Sequence, residues 1–398
     1  MNMIIHRYGS ICEPDLIDAF RACGITVIED CSEVSSKNIS PEERIRSFGG
    51  LLLTSQAAFA FSVNFFPYIS EICEKLHVPY VSLSVDCPVL ELFSVSIRNR
   101  CNRIFLFDYI QYQRFHPENP DCIFYLPLAA NTDRWGKALK DIFTEDKTRY
   151  RHDIAFVGSL YKEKSPLSHL PLDGYHRGIA DSIINAQSKV PGYSFLEEAL
   201  PESLVAAIRH NDPSFYHLDG SFTKTDTYVA AHYYLGMELS YKERIRTLQV
   251  IGRQFPVDLY TRSDISDLGH IPGIRCRGGV STHHEMPKVF HYSKINLNIT
   301  MHSIQSGLSQ RIWDVLGCGG FLLSNYQSEI PEYFTIGKDL DCYENMDDLK
   351  EKIAFYLSHE DIREEIARNG LEKVQANHTY IHRVCQIMNI LFQQKPTV

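Results

Sequence analysis

Apolar residues in the first third of the chain alternate between short continuous runs and helical spacing. Short apolar runs bounded by Gly, Pro or polar residues are typical of strands, and they lie at residues 1–8, 25–30, 49–55, 58–65, 79–86, 103–108 and 122–129. Apolar positions three and four residues apart predict helices at residues 13–24, 40–48 and 66–78. The helix at 40–48 has clear start signals, with Ser40 as N-cap and Pro41 at the first helical position. This alternation predicts parallel βαβ units.

The alternation resumes after a polar connector at residues 131–153. The second series predicts strands at residues 153–161, 256–261, 295–300 and 321–325, and helices at residues 238–255, 311–320, 346–359 and 360–370. A mostly helical insertion at about residues 165–234 interrupts it. We therefore predict an α/β protein with two Rossmann-like domains, at residues 1–148 and 149–376. Two such domains in series, each with its own parallel sheet, are expected to face each other across a cleft. Ligands of such folds bind at the carboxyl ends of the strands, so the cleft is the expected binding site.

Composition narrows the class of protein. The 398 residues are 44% hydrophobic and carry a formal net charge of -9, which argues against a nucleic-acid binder. The 11 cysteines show neither CxxC nor Cys/His spacing, so reduced thiols are expected instead of disulfides or a zinc site. The first residues do not form a signal peptide, and no apolar run is long enough to span a bilayer. We expect a cytoplasmic protein without a transmembrane segment.

Residues 306–325 form the most informative segment for chemistry. Ser306 and Gly307 precede a predicted helix, whose N-terminus offers free N–H groups and a positive dipole end to a diphosphate. Arg311 and Asp314 share one face near that end, where Arg suits a phosphate and a carboxylate suits ribose hydroxyls. An Arg–Asp surface pair beside a glycine C-cap explains the same spacing equally well.

A family resemblance extends this interpretation. Residues 303–334, with SKINLNIT before them and YLSHEDIREEIARNG and HTYIHR after them, resemble the C-terminal half of the CgeB-like glycosyltransferases. VDCP at 85–88 and YLPLAAN at 125–131 are similar to that family's N-terminal half. The resemblance implies a GT-B fold, like that of the group 1 glycosyltransferases, and transfer of a sugar from a nucleotide diphosphate donor, such as a UDP-sugar, to a hydroxyl acceptor. It also implies that residues 377–398 form a helix that packs back toward the first domain.

The resemblance assigns roles to particular residues of the second domain. Asp314 corresponds to the acidic residue that holds the ribose in the wider group. Gly158 and Ser159 stand in the turn that approaches the donor phosphates, although the group often has a basic residue at the position of Ser159. Arg311 is therefore the first candidate for neutralising the phosphates. Gly278 and Gly279 match the position at which backbone meets the nucleobase.

Other polar residues are weaker candidates. Asn296 and Asn298 alternate along one strand and face the same side, so they either line the donor pocket or hydrogen-bond neighbouring loops. The resemblance implies that the first domain holds the acceptor, where His6 or Asp86 at a strand end would be the catalytic base of an inverting enzyme. Asp86 is also explained by a turn before Pro88.

Several patterns are given a structural interpretation. Asp339 and Asp341 have the form of a metal-binding DxD but lie late in the chain, so we predict neither a metal nor a cofactor beyond the nucleotide-sugar. Arg244 and Arg246 are interpreted as parts of a solvated helix face. Two other functions stay open: a nucleotide-sugar 2-epimerase, and a non-catalytic assembly protein of a cell or spore surface. The sugar, the acceptor and the anomeric outcome are not predicted.

Overall fold

The structure, a computed structural model, describes residues 1–36, 39–140 and 144–393. The chain forms two compact units. Unit 1 comprises Met1–Ala129, Leu218–Lys224 and His378–Val398, and unit 2 comprises Ala130–His217 and Thr225–Asn377. None of the helices in the described ranges is long and apolar enough to cross a membrane.

Unit 1 is built on a six-stranded parallel sheet with the order β2-β1-β3-β4-β5-β6. Its strands are β1 (Asn2–His6), β2 (Thr26–Asp30), β3 (Phe59–Val63), β4 (Tyr80–Leu83), β5 (Asn102–Leu106) and β6 (Ile123–Tyr125). Its helices are α1 (Glu13–Ala22), α2 (Ser32–Ser35), α3 (Pro41–Ser55), α4 (Pro67–Leu76), α5 (Tyr109–Phe115) and, from the end of the chain, α18 (Tyr380–Gln393). Helices α1, α3 and α4 confirm their sequence predictions.

The predicted strand at residues 49–55 is wrong, because helix α3 continues to Ser55. Ser40 and Glu43 form the two reciprocal hydrogen bonds of a capping box at its start, as the Ser-Pro signal indicated. Leu52 is buried, whereas Leu53 is 70% exposed, so only one face of this apolar run packs. A short apolar run does not separate a strand from a helix segment by its periodicity.

The last helix, α18, contributes to the core of unit 1. Tyr380, Val384 and Ile387 are buried in one cluster with Leu16 and Phe20. Arg383 on the same helix is 2% exposed and donates from Nε to the carbonyl oxygen of Pro127 at 2.8 Å, with further bonds to the carbonyl of Leu128. Backbone acceptors thus fix the helix against the segment that follows β6.

Unit 2 has a second six-stranded parallel sheet, ordered β12-β11-β10-β7-β8-β9. Its strands are β7 (Ile154–Val157), β8 (Val257–Tyr260), β9 (Ile274–Gly278), β10 (Ile295–Asn298), β11 (Leu322–Asn325) and β12 (Asp341–Tyr343). Its helices are α6 (Thr132–Lys140), α7 (Thr144–Tyr150), α8 (Gly174–Gln187), α9 (Leu196–Ala199), α10 (Glu202–Asn211), α11 (Asp226–Tyr228), α12 (Gly236–Gly252), α13 (Met286–Tyr292), α14 (Gln310–Gly317), α15 (Ile330–Tyr333), α16 (Met346–Ser358) and α17 (Glu360–Asn377).

Several elements of unit 2 differ from the prediction. The polar connector contains helices α6 and α7, and its residues 141–143 lie outside the described residues. Trp135 of α6 is 1% exposed, so one apolar side chain anchors a segment that is otherwise polar. Strands β9 and β12 were not predicted, because β9 is a partly exposed edge strand without an apolar run and β12 has only three residues.

The sheet of unit 2 is covered on both faces, and the order in which successive strands are added across the sheet reverses at β7. Ile154 and Phe156 pack in one cluster with Leu248 of α12 and Ile353 of α16, whereas Ala155 packs with Val289 of α13. Alternate residues of a strand point to opposite faces, so α12 and α13 lie on different sides. Strand β7 pairs with β8 on one edge and β10 on the other, which makes the ends of β7 and β10 a topological switch point.

We expect opposite stability effects from two glycine-to-alanine changes in helices. A Cβ at Gly370 of α17 would lie 2.4 Å from the carbonyl oxygen of Asp339 and 2.9 Å from Leu316, so Gly370→Ala is expected to cost about 1–3 kcal/mol. A Cβ at Gly50 of α3 meets nothing within 4 Å, so Gly50→Ala is expected to gain up to about 1 kcal/mol from helix propensity. Urea unfolding of both variants measures whether the free energy of unfolding falls for Gly370→Ala and rises for Gly50→Ala. A stabilised Gly370→Ala would contradict this packing.

Candidate functional site

The turn after β7 lies at the switch point of unit 2. The amide N–H of Gly158 donates to the carbonyl oxygen of Tyr260 at 3.0 Å, which ties the turn to β8. The hydroxyl of Ser159 donates to Glu163 Oε1 at 3.0 Å and lies 3.3 Å from the hydroxyl of Ser263. These contacts give the turn a fixed shape, while the phosphate role of Gly158 and Ser159 stays a prediction.

Helix α14 begins at the same edge of the sheet, after the loop that follows β10. The hydroxyl of Ser309, its N-cap residue, lies 3.5 Å from Thr300 Oγ1 instead of capping the first N–H groups of the helix. Before it, Ser306 is 3% exposed and donates to Glu329 Oε1 at 2.6 Å, and the carbonyl of Gly307 accepts from Gln327 at 3.3 Å. Ser306 and Gly307 therefore brace the loop through side chains from beyond β11.

Arg311 and Asp314 form the ion pair that their spacing allows. Arg311 Nη1 lies 3.3 Å from Asp314 Oδ2 and 2.7 Å from Met286 Sδ, and the guanidinium carbon lies 5.0 Å from the ring centroid of Phe290. Burial raises the pKa of Asp314, an effect that the charge of Arg311 and a 2.9 Å hydrogen bond from Gln310 oppose. The pair leaves the Arg311 side chain 25% exposed, so it is accessible to a ligand.

Asn296 and Asn298 are 2% and 4% exposed, and both donate to protein groups. Asn296 Nδ2 donates to the carbonyl oxygen of Phe290 at 2.8 Å, and Asn298 Nδ2 donates to Thr300 Oγ1 and Ser324 Oγ, each at 2.9 Å. This geometry favours the structural alternative, in which the two amides hold neighbouring loops and strands.

Two different constraints favour glycine at the end of β9: the backbone conformation at Gly278 and a close side chain at Gly279. Gly278 has a φ of +76°, a conformation that side-chain-bearing residues rarely adopt. A Cβ at Gly279 would lie 2.7 Å from the side chain of Arg262, so only glycine fits there without displacing it. The nucleobase role of the two residues stays a prediction.

The interpretation of Arg244 as part of a solvated face is wrong. Arg244 is 8% exposed; its Nη1 donates to the carbonyl oxygen of Ser159, and its Nη2 donates to that of Ile299 at 2.6 Å. It therefore connects the turns after β7 and β10. Its spacing to Leu248 and Ile251, which are buried on the same helix, was the signal in the sequence. Arg246 is exposed, as predicted.

In unit 1, His6 ends β1 and is fully buried. Its Nδ1 lies 2.8 Å from Asp30 Oδ2, and its Nε2 lies 3.2 Å from both Glu33 Oε2 and the hydroxyl of Tyr68. Burial raises the pKa of Asp30, but the hydrogen bonds from His6 and Ser32 outweigh it and hold that pKa below its ordinary value. Both ring nitrogens of His6 thus contact protein groups, which does not favour a role as an accessible base.

Asp86 belongs to a second polar group at the carboxyl ends of β1, β3 and β4. It is exposed and accepts from Asn64 Nδ2 at 2.7 Å, and the same Nδ2 donates to the hydroxyl of Tyr8 at 2.9 Å. Asn64 holds this position with a φ of +58°. Burial, followed by the charge of Asp86, raises the pKa of Tyr8. Asp86 is therefore the more accessible of the two candidate bases.

The acidic residues of the DxD-like pair are each held by protein partners. Asp339 lies 2.9 Å from Lys373 Nζ, and Asp341 lies 2.7 Å from the hydroxyl of Tyr356. Across residues 1–36, 39–140 and 144–393, no group of three or more His, Cys, Asp or Glu side chains is placed to hold a metal ion.

Unit 2 also contains a cavity of about 530 Å³ beside this edge of its sheet. Residues 188–194, side chains of α12 and the ends of β10, β11 and β12 line it, including Thr300, Asn325 and Tyr343. The predicted donor residues lie elsewhere, around the turn after β7, β9 and α14. None of the predicted donor residues is among those that line this cavity.

Comparison with protein families locates the match in this part of the chain. Residues 240–389 match the family model described as "Glycosyl transferase-like". An uncharacterised protein of Aquifex aeolicus (strain VF5) is 29% identical over 121 residues, which are 29% of this chain. The aligned segment spans 30% of that relative's length.

Solved structures share the architecture of the whole chain. A glycosyltransferase from Rickettsia africae ESF-5 has a TM-score of 0.56 and 11% identity, with 99% of each chain covered. HepE of Anabaena, solved in complex with UDP and glucose, has a TM-score of 0.56 and 10% identity, covering 99% of this chain and all of that one. Sucrose-phosphate synthase from Thermosynechococcus elongatus has a TM-score of 0.51 and 11% identity, with 99% of each chain covered. The two six-stranded parallel sheets therefore form a GT-B fold.

Proposed function

We propose that this protein is a glycosyltransferase that moves a sugar from a nucleoside diphosphate sugar of the UDP class to a hydroxyl acceptor. The observation that carries the proposal is the convergence of Arg311, Asp314 and the N-terminus of α14 at the switch point of unit 2. The match to a glycosyltransferase family model over residues 240–389 covers this segment and supports the proposal. We further propose a CgeB-like member of that group, acting in the cytoplasm on a protein, glycan or surface component.

In the proposed donor site, different elements of unit 2 bind different parts of the nucleotide-sugar. The nucleobase meets the backbone at Gly278 and Gly279, and Asp314 accepts hydrogen bonds from the ribose hydroxyls. The diphosphate occupies the N-terminus of α14, where the helix dipole and Arg311 favour negative charge. These groups stabilise the charge that grows on the leaving diphosphate as the glycosidic bond breaks.

Asp86 is our proposed base for an inverting reaction. It is exposed, and its bond from Asn64 orients the carboxylate at the carboxyl end of β4. His6 is then a structural residue at the end of β1, since its nitrogens contact Asp30, Glu33 and Tyr68. A reaction that retains the anomeric configuration does not need this base.

A panel of nucleotide-sugars tests the proposed function directly. Release of UDP or another nucleoside diphosphate is followed for each donor, with and without simple glycoside acceptors. We expect one donor class to give release above the rate of spontaneous hydrolysis. Isomerisation of the sugar without UDP release would indicate a 2-epimerase, and absence of both binding and turnover would indicate a non-catalytic protein with the same fold.

We expect UDP binding to be independent of a divalent metal. Asp339 and Asp341, which have the sequence form of a metal site, are 5% exposed and engaged by Lys373 and Tyr356. The diphosphate charge is then offset by N–H groups and arginine. Calorimetric titration of UDP with excess EDTA and with Mg²⁺ measures the difference. A dissociation constant that rises at least about tenfold on chelation, 1.4 kcal/mol of binding, would refute the expectation.

A further inference from the structure

Arg244 is a buried cation that forms no ion pair with a carboxylate among the described residues. Its guanidinium donates to two backbone carbonyls and lies 4.4 Å from the ring centroid of Tyr161 and 5.5 Å from that of Phe156. Its Nε is buried without a hydrogen-bond partner. Among the residues that the structure describes, no carboxylate lies within ion-pair distance of it.

Burying a charge in this way lowers the free energy of unfolding. Removing a charge from water costs several kcal/mol unless a counter-charge and hydrogen bonds compensate. Carbonyl oxygens and ring faces compensate only in part, and most buried arginines have a carboxylate nearby. Arg363 of α17 illustrates the usual solution, since it is 4% exposed and lies 3.2 Å from Glu360. Arg244 therefore retains positive charge that the described residues do not neutralise.

The location of this charge identifies the kind of ligand that would neutralise it. Arg244 joins Ser159 and Ile299, which follow β7 and β10, the two strands of the switch point. Next to Ile299, Thr300 contacts Ser309, the N-cap of the helix that carries Arg311. Burial lowers the pKa of Arg244; the Tyr161 side chain opposes this effect, and the nearby positive charge of Arg311 adds to it. Arg244 and Arg311 thus lie near one helix N-terminus, where Asp314 pairs with Arg311 at 3.3 Å and, among the described residues, no carboxylate pairs with Arg244.

We propose that Arg244 is a diphosphate-binding residue, which neutralises the donor between the turns after β7 and β10 while it holds both turns in place. This inference rests on the proposed function and deepens it, because it adds an α12 residue to the donor site. A purely structural arginine would hold the two turns equally well, so the experiment separates turn-holding from diphosphate binding.

The test compares the affinities of UDP and uridine, whose ratio isolates the diphosphate. We expect Arg244→Gln to reduce this ratio at least about tenfold, as for loss of a hydrogen bond to a charged group. Arg244→Lys keeps the charge but not the planar fork. Its ratio of UDP affinity to uridine affinity should lie between those of the wild type and Arg244→Gln. Arg363→Gln, a buried arginine with its own carboxylate, and Arg246→Gln, an exposed neighbour on α12, are controls that should keep the wild-type ratio.

The outcomes separate the two proposals. If the wild-type protein binds no nucleoside diphosphate, the proposed function fails. If wild type binds UDP and Arg244→Gln keeps the wild-type ratio while its melting temperature falls, Arg244 is structural and only this inference is overturned. If Arg244→Gln does not fold, a crystal structure of the wild-type protein with UDP decides. A phosphate oxygen within about 4 Å of the guanidinium supports the inference, and the absence of one within that distance overturns it.

Discussion

Replacing Arg311 with Ala is expected to lower the sugar-transfer rate of the folded protein at least about a hundredfold. The guanidinium lies near the N-terminus of α14, where a cation is unfavourable for the helix itself unless an anion occupies the same place. In the proposed donor site the diphosphate is that anion, and its charge would grow as the glycosidic bond breaks. Arg311→Lys keeps the charge without the planar fork, so we expect rates in the order wild type, Lys, Ala.

Turnover per folded molecule is the measurement that decides this prediction. A lower melting temperature alone does not, because Arg311→Ala also leaves the buried Asp314 without its partner at 3.3 Å. Arg368→Ala, which removes an exposed arginine of α17, is the matched control and should keep both rate and stability. If Arg311→Ala loses stability but keeps the wild-type turnover, Arg311 only pairs with Asp314 and its diphosphate role is abandoned.

Replacing Asp314 with Asn is expected to weaken UDP binding by about 1.5–3 kcal/mol while leaving stability at neutral pH unchanged or higher. Burial raises the pKa of this carboxyl, so its ionised form is less favourable in the folded state than in the unfolded state. Asn keeps the shape and removes that cost. An amide also accepts hydrogen bonds from ribose hydroxyls less strongly than a carboxylate does.

The pH dependence of unfolding tests whether Asp314→Asn stabilises the protein for the reason given. For an acid whose pKa is raised on folding, the destabilisation is present above the folded pKa and disappears below the unfolded value of about 3.9. The stability advantage of Asp314→Asn should therefore shrink as pH falls toward about 4. Asp361→Asn, an exposed position on α17, is the control for removing a negative charge. A destabilised Asp314→Asn with unchanged UDP affinity would make Asp314 a structural partner of Arg311.

Local patterns predicted most regular elements because each such element carries its own signal. The capping box at Ser40 and the apolar spacing of α1 define where helices begin and which face they bury. The wrong prediction at residues 49–55 shows where local patterns fail. The three leucines that follow Gly50 are consecutive, so they show neither helical nor strand periodicity. Whether such a run becomes helix or strand depends on the segment that precedes it and on what packs against Leu52.

In the candidate site, too, local spacing predicted some features and left others open. The sequence identified the helix start at Ser306–Arg311 and the spacing of Arg311 and Asp314, because residues three apart share a helix face whatever surrounds them. It left open whether Asn296 and Asn298 face a ligand, and the structure gives both amides protein partners. Side-chain partners from distant segments are not encoded in local spacing.

The sequence by itself determined the α/β alternation, the helix starts and the glycine-containing turns, since these depend on residues within a few positions of one another. Only the tertiary structure decided the environment of Arg244, which is far along the chain from both Ser159 and Ile299 and yet donates to their carbonyl oxygens. The parallel order of β7 and β10 brings those two turns together and buries the guanidinium between them. The cost of that burial depends on which partners are close in space.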